Sequence, residues 1–252
     1  MYPKKFWNEF RLPKWRNKIF VGMSFNDKEV KKRYVDVIIK AIKKTKLKPY
    51  FIKEIITGDS IPSDIMKGII ECKLVLFDIS PIRKKVKIRN PNVMYELGLA
   101  NTWRNGEEVI VVSDDVKNLP FDIQQIGVVK YSLRNKKKAI EKIKDTILFR
   151  LEQVKIKHKS IVRKAGESLT LEACQFLIKT RGTIQHDRNL TTSDRILAIP
   201  ILLNLGLVEL LTDGHGFGYH PTQLGREVIR FYDKPLDKDD IKKYKTLYKP
   251  EY

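Results

Sequence analysis

The sequence predicts an α/β protein with a second, smaller α+β unit. Three observations carry this: short β-rich runs alternate with helical patterns through residue 157, one run (LVLFD, 74–78) is continuously apolar, and the pattern changes to helix, helix, hairpin, helix after residue 158. Alternation of this kind calls for a five-stranded, mainly parallel sheet covered on both faces. Ile19 to Met23 reads as the first strand and Lys28 to Lys44 as an amphipathic helix, with Val30, Tyr34, Val37, Ile38 and Ala41 facing inward. Pro49 to Lys53 follows as strand two, and after the turn residues Thr57 to Ser60 a helix runs from 62 to 72. Leu74 to Asp78 is the central strand. A polar, basic loop at 80 to 90 leads into a helix from Pro91 to Trp103, then strands at Glu108 to Val112 and Val128 to Tyr131. A last helix from Lys137 to Lys155 ends in an expected linker at 155 to 159, so the expected domains are 1–157 and 158–252.

The chain has 252 residues and is 42% apolar, enough to build a core in one or two domains. No stretch approaches the roughly 20 apolar residues that span a bilayer, and the charged N-terminus lacks a signal-peptide core, so the expectation is a cytoplasmic protein without membrane contact. Cys72 and Cys174 lie far apart without metal-ligand spacing and read as buried thiols in helical segments. The four histidines show no metal or triad spacing either, so no metal is expected. The net charge is +20, with 36 basic and 18 acidic residues in positions 1 to 159 and 14 and 12 thereafter. Solvated lysines account for this, and so does attraction of phosphates.

The most informative segment is Asn90-Pro91-Asn92-Val93-Met94-Tyr95-Glu96-Leu97-Gly98-Leu99-Ala100. Asn90 is a natural helix cap, and Pro91 suits the first helical position, where its missing N–H would be unpaired in any case. Val93, Leu97 and Ala100 define a buried face, which puts Glu96 at its half-buried edge. Gly98 weakens the helix by about 1 kcal/mol relative to Ala, which suggests close approach of a backbone or ligand. Ligands of open α/β sheets bind outside the carboxyl ends of the strands. The residues expected there are Ser24, Phe25, Asp59, Asp78 and the segment from Asn90 to Glu96, with Asp122 a weaker candidate. Carboxylates facing a sugar suit N-glycosidic cleavage: Glu96 could stabilise or trap the oxocarbenium-like carbon, and Asp78 could orient the ribose or handle a proton. Arg83, Lys84, Lys85, Lys87 and Arg89 beside that site suit a pyrophosphate as well as they suit a solvated loop.

Four blocks in order, FVGMSF (20–25), LFDIS (76–80), the Asn90–Ala100 segment and LPFD (119–122), resemble the nucleoside 2-deoxyribosyltransferase-like and bacterial Toll/interleukin-1 receptor (TIR)-like families. The resemblance implies a flavodoxin-like fold and a catalytic Glu96 acting on a ribosyl C1′, with supporting roles for Asp78, Asn92, Ser24 and Phe25. It implies NAD or a related nucleotide as substrate rather than cofactor, in an antiviral defence setting. Asn90 and Asn92-Val93 match the TIR-like branch more closely than the transferases, which usually carry Asp at the Asn90 position. A nucleoside deoxyribosyltransferase or hydrolase, and a non-catalytic nucleotide sensor, are the alternatives.

In the second domain, LGLVE (205–209) followed by GYHPTQLG (218–225) resembles the strand, wing and last helix of winged-helix domains. DNA reading requires cationic side chains on the recognition helix, but Ile196 to Leu203 is apolar and Arg195 is its only cation. The expectation is a regulatory domain that makes a homo-oligomer or holds a partner protein, with DNA disfavoured.

Overall fold

The computed structural model describes residues 16–24, 32–51, 61–82, 88–117, 119, 123, 126–181, 184–213 and 216–233. The chain packs as two units that meet in sequence between Lys157 and His158. The first contains β1 (Arg16–Gly22), a helix α1 formed by Tyr34–Ile38 and Ile39–Lys43, β2 (Lys48–Tyr50), α2 (Ile61–Glu71), β3 (Cys72–Asp78), α3 (Pro91–Trp103), β4 (Val109–Ser113), β5 (Val128–Lys130) and the part of α4 (Lys136–Glu167) up to Lys157, the rest of that helix belonging to the second. Its strands pair in the order β2-β1-β3-β4-β5, and every pairing is parallel. That order and direction are those of a flavodoxin-like α/β fold, with the chain reversing direction across the sheet between β1 and β3.

Side-chain alternation divides the core into two layers. Ile19 and Val21 of β1, Leu74 and Leu76 of β3, and Ile110 and Val112 of β4 pack with Val37, Ile38, Ala41, Ile143 and Ile147 of α1 and α4. Phe20, Val75, Phe77, Val109 and Val111 point the other way, against Ile69 of α2 and Val93, Leu97 and Ala100 of α3. The parity matters for function. Gly22 and Phe77 belong to the α3 face, whereas Asp78 belongs to the α1 face.

Three local expectations are corrected. Residues 155–159 are not a linker but part of α4, which runs on to Glu167. No Gly or Pro interrupts it before Gly166, and the pairs Lys155–Glu152 and Arg163–Glu167 support the turns in question. Cys72 opens the buried strand β3 instead of closing a helix, and Cys174 is only partly buried. Among the described residues, no helix is long and apolar enough to cross a membrane, and no group of His, Cys, Asp or Glu could hold a metal ion.

The second unit contains α5 (Leu171–Lys179), β6 (Gln185–His186), a helix α6 formed by Asp194–Ala198 and Ile199–Asn204, β7 (Val208–Asp213), β8 (Gly216–Pro221) and α7 (Gln223–Asp233). Thr170 caps α5 by accepting from the Ala173 N–H at 3.3 Å. The three strands form an antiparallel sheet in the order β6-β8-β7. Phe176, Leu177, Leu202, Leu207, Leu224 and Val228 build its core with Val162 and Ala165. Ile196, Leu197 and Leu203 stay exposed on α6.

Candidate functional site

α3 begins at the residue its capping pattern predicts. The Asn90 side chain accepts from the Asn92 N–H at 2.9 Å and the Val93 N–H at 3.4 Å, and Pro91 occupies the first turn. With the start fixed and Val93, Leu97 and Ala100 buried, helical geometry leaves Glu96 half-buried at the edge of the sheet. A side chain at position 22 would show what lies beneath it. A Cβ placed on Gly22 would come within 2.4 Å of the Phe77 ring and 3.0 Å of Glu96 Oε2. The Glu96 carboxylate therefore rests against the bare backbone at the end of β1, beside an aromatic ring, and glycine there leaves the space it occupies.

Among the described residues, Glu96 has neither a hydrogen-bond nor an ion-pair partner. Desolvation by this apolar floor raises its pKa from 4.5 to about 7. Asn92 lies one turn earlier on the same helical face and is exposed, as is Tyr95. Ser24 is buried two residues beyond Gly22.

Asp78 is built differently. It is 5% exposed, and both of its oxygens are engaged. Oδ1 accepts from the Ser80 N–H at 3.0 Å and the Ser80 hydroxyl at 2.5 Å, while Oδ2 accepts from the Tyr131 hydroxyl at 2.9 Å. Burial raises its pKa, opposed by the Ser80 hydrogen bonds and by the positive charge of Arg33. Arg33, itself 1% exposed, bonds the Pro81 carbonyl and pairs with Asp114 at 3.2 Å. Ser80 Oγ also accepts from the Asp114 N–H at 2.9 Å. These contacts tie the ends of β3 and β4, the residue after β5, and α1 into one buried network.

The two carboxylates expected to share a sugar thus lie on opposite faces of the sheet. Phe77 points toward Glu96, so its neighbour Asp78 must point away. This corrects the expectation that Asp78 handles a proton beside Glu96; it anchors the backbone. Arg89 is corrected in the same way. Its guanidinium donates to the Ile79 carbonyl, to Ser113 Oγ at 3.2 Å and to the Asp115 carbonyl at 2.9 Å, stapling the segments after β3 and β4 together. Burial lowers its pKa, countered by Asp115, Asp114 and Asp78. Asn90 acts as a cap. Gly98 faces solvent, and a Cβ placed there would meet nothing within 4 Å, so no close approach of another described segment of the chain explains it. Phe25, Asp59, Asp122, Arg83, Lys84, Lys85 and Lys87 lie outside the described residues.

Four residues receive no site role from the sequence patterns: Gly22 and Phe77, which lie within the FVGMSF and LFDIS blocks and form the floor beneath Glu96, and Arg33 and Tyr131, which are parts of the buried network. A glycine inside an apolar strand is the available signal for the first. For Arg33 the signal is its place one turn before Val37 on the buried face of α1, set against the rarity of fully buried arginine.

No protein-family model and no curated protein matches the chain. Its architecture is similar to solved structures at low identity. The TIR domain of a Toll-related receptor from Hydra magnipapillata is 12% identical with a TM-score of 0.40, over 54% of this chain and 97% of that one. A diflavin flavoprotein from Nostoc sp. is 12% identical with a TM-score of 0.35, over 59% and 99%. The lysine decarboxylase of Francisella novicida is 10% identical with a TM-score of 0.33, over 73% of this chain and 22% of its own. The flavodoxin-like assignment stands on the strand order itself.

Proposed function

We propose that the first unit cleaves the N-glycosidic bond of NAD or a related nucleotide, with Glu96 as the reacting carboxylate. The observation that carries the reading is a half-buried carboxyl group over a glycine, with no cation beside it among the described residues and a pKa near 7. A carboxylate held in an apolar setting gains most from a positive charge that arrives with the substrate and grows at C1′ as the base departs. That is stabilisation specific to the transition state. The ionised form is the one that can stabilise or trap the oxocarbenium-like carbon. Asn92, exposed one turn away on the same face, would hydrogen-bond a ribose hydroxyl in this reading. Asp78, Arg33, Ser80 and Tyr131 act as positioning residues that hold the strand ends under the site. The second unit is read as a winged-helix-like module that regulates assembly.

The test is nicotinamide release from NAD by the full-length chain. Turnover by the wild type with at least a 100-fold loss in Glu96→Gln supports the reading, and equal rates overturn it. A second reading, a nucleotide sensor without catalysis, is favoured by the engagement of Asp78 elsewhere, which leaves a single carboxylate at the site among the described residues. It expects NAD to bind both forms equally with no product formed.

A further inference from the structure

The two helical layers on the sheet of the first unit carry opposite charge. α2 and α3 hold one basic residue, Lys67, against Asp64, Glu71 and Glu96. On the other face, residues 32–46 around α1 and 134–145 at the start of α4 hold 12 basic residues against 3 acidic ones. We propose that this α1–α4 face binds the phosphate backbone of a nucleic-acid duplex without reading its sequence. Its three carboxylates are already engaged: Asp36 by Lys136 at 2.6 Å, Glu141 by Lys44 and Lys144, and Asp145 by Lys144 at 3.1 Å. Arg33 is buried and paired with Asp114. The remaining cations are all exposed and have no ion-pair partner among the described residues; they include Lys40, Lys43, Lys46, Lys137, Lys138 and Lys142.

These charges lie close together. The pairs Asp36–Lys136 and Lys44–Glu141 hold α1 beside the first turns of α4, and Lys40 stands one helical turn from both Asp36 and Lys44. The bond from Lys136, with the charges of Lys40 and Lys32 adding to it, keeps the Asp36 carboxyl below its usual range. α4 opens with Lys136, Lys137 and Lys138 and has no acidic residue in its first turn, although the positive end of the helix dipole disfavours cations there. A polyanion laid across that end relieves the repulsion. The ten residues Lys136 to Asp145 rise about 15 Å, a length over which duplex DNA presents about nine phosphates. Lysine brings point charges rather than the forks that read guanine, which suits contact with the backbone alone. Val35 is the sole exposed large apolar side chain in the two segments among the described residues, so the face lacks the apolar anchors that enter a lipid interface.

The experiment is fluorescence anisotropy of the full-length chain with a short labelled duplex, as DNA and as RNA, in two unrelated sequences at about 50 mM salt. Binding is expected with equal affinity for the two sequences, and the DNA and RNA arms distinguish the source of the backbone. Contact of six lysines with phosphates predicts a slope of about −5 for log affinity against log salt. The triple variants Lys40→Gln with Lys43→Gln and Lys46→Gln, and Lys137→Gln with Lys138→Gln and Lys142→Gln, are each expected to weaken binding at least tenfold, and the six together at least 100-fold. A control that removes three exposed cations of the second unit, Lys159→Gln with Lys164→Gln and Arg188→Gln, should weaken binding less than threefold, and Glu96→Gln should not change it. The last arm makes the outcome independent of the glycosidase reading. The proposal is overturned if neither duplex binds, if the six-lysine variant binds normally, or if the control triple loses as much as the others. It is also overturned if one sequence binds at least tenfold more tightly than the other, or if vesicles of anionic phospholipid hold the chain while the duplexes do not.

Discussion

Asp78 and Glu96 stand at the same edge of the same sheet and have opposite surroundings. On the α1 face, Asp78 is buried with both oxygens occupied and a cation nearby, so its negative charge is spent on holding four segments together. On the α3 face, Glu96 is half-buried, and among the described residues nothing offsets the loss of water. One residue class therefore sits fully hydrogen-bonded on one side and, among the described residues, without a compensating partner on the other. What separates them is the two-residue period of β3 and the presence or absence of donors, not their shared charge.

Substitutions on either face test that contrast. Asp78→Ala removes three hydrogen bonds and strips the buried Arg33 of a nearby counter-charge, so urea unfolding should show a loss of about 3 kcal/mol or more. A loss below about 1 kcal/mol would mean the network holds nothing. Gly22→Ala forces a methyl group to within 2.4 Å of the Phe77 ring, and overpacking of that kind should lower stability by about 1–3 kcal/mol while displacing the Glu96 carboxylate. The same assay with NAD as ligand would report whether the displaced carboxylate weakens binding.

Glu96→Gln carries the opposite sign. A carboxyl group whose folded pKa is raised binds its proton more tightly when folded, so its ionisation erodes stability as pH rises from 4.5 through about 7. The glutamine variant should accordingly be more stable than wild type at pH 8, by about 1–2 kcal/mol after discounting for the group's partial exposure. The difference should vanish near pH 4.5. Thermal melts at the two pH values check this, and a variant less stable at pH 8 would contradict it. The smallest effect is Tyr131→Phe, which removes the buried bond to Asp78 and a longer contact with Ser80 Oγ at 3.2 Å, and should cost about 1 kcal/mol in the same melts.

The sheet is legible in the sequence because its signals are local. IFVGM, LVLFD and EVIVV are apolar runs between turns, and the Asn90 cap with Pro91 locates the start of α3. The half-buried position of Glu96 follows from periodicity alone. What stays hidden is what depends on pairing across the chain. The sequence puts Asp78 at a strand end, as observed, but its orientation relative to Glu96 depends on which face α3 covers, and Tyr131 lies 53 positions away from it. Arg89 looks like a phosphate ligand beside its basic neighbours. Its partners include backbone carbonyls of residues 79 and 115, and sequence patterns carry no sign of carbonyl positions. The lysines and histidine of 155–159 suggest a linker, yet neither residue type breaks a helix, and α4 continues through them.

Carbon-detected NMR titration of the side-chain carboxyl groups measures most directly whether Glu96 is a desolvated carboxyl group without a compensating partner. Its resonance is identified by its loss in Glu96→Gln. An apparent pKa near 7 that falls when NAD is bound is the predicted result. A value near 4.5, unmoved by ligand, would contradict the account.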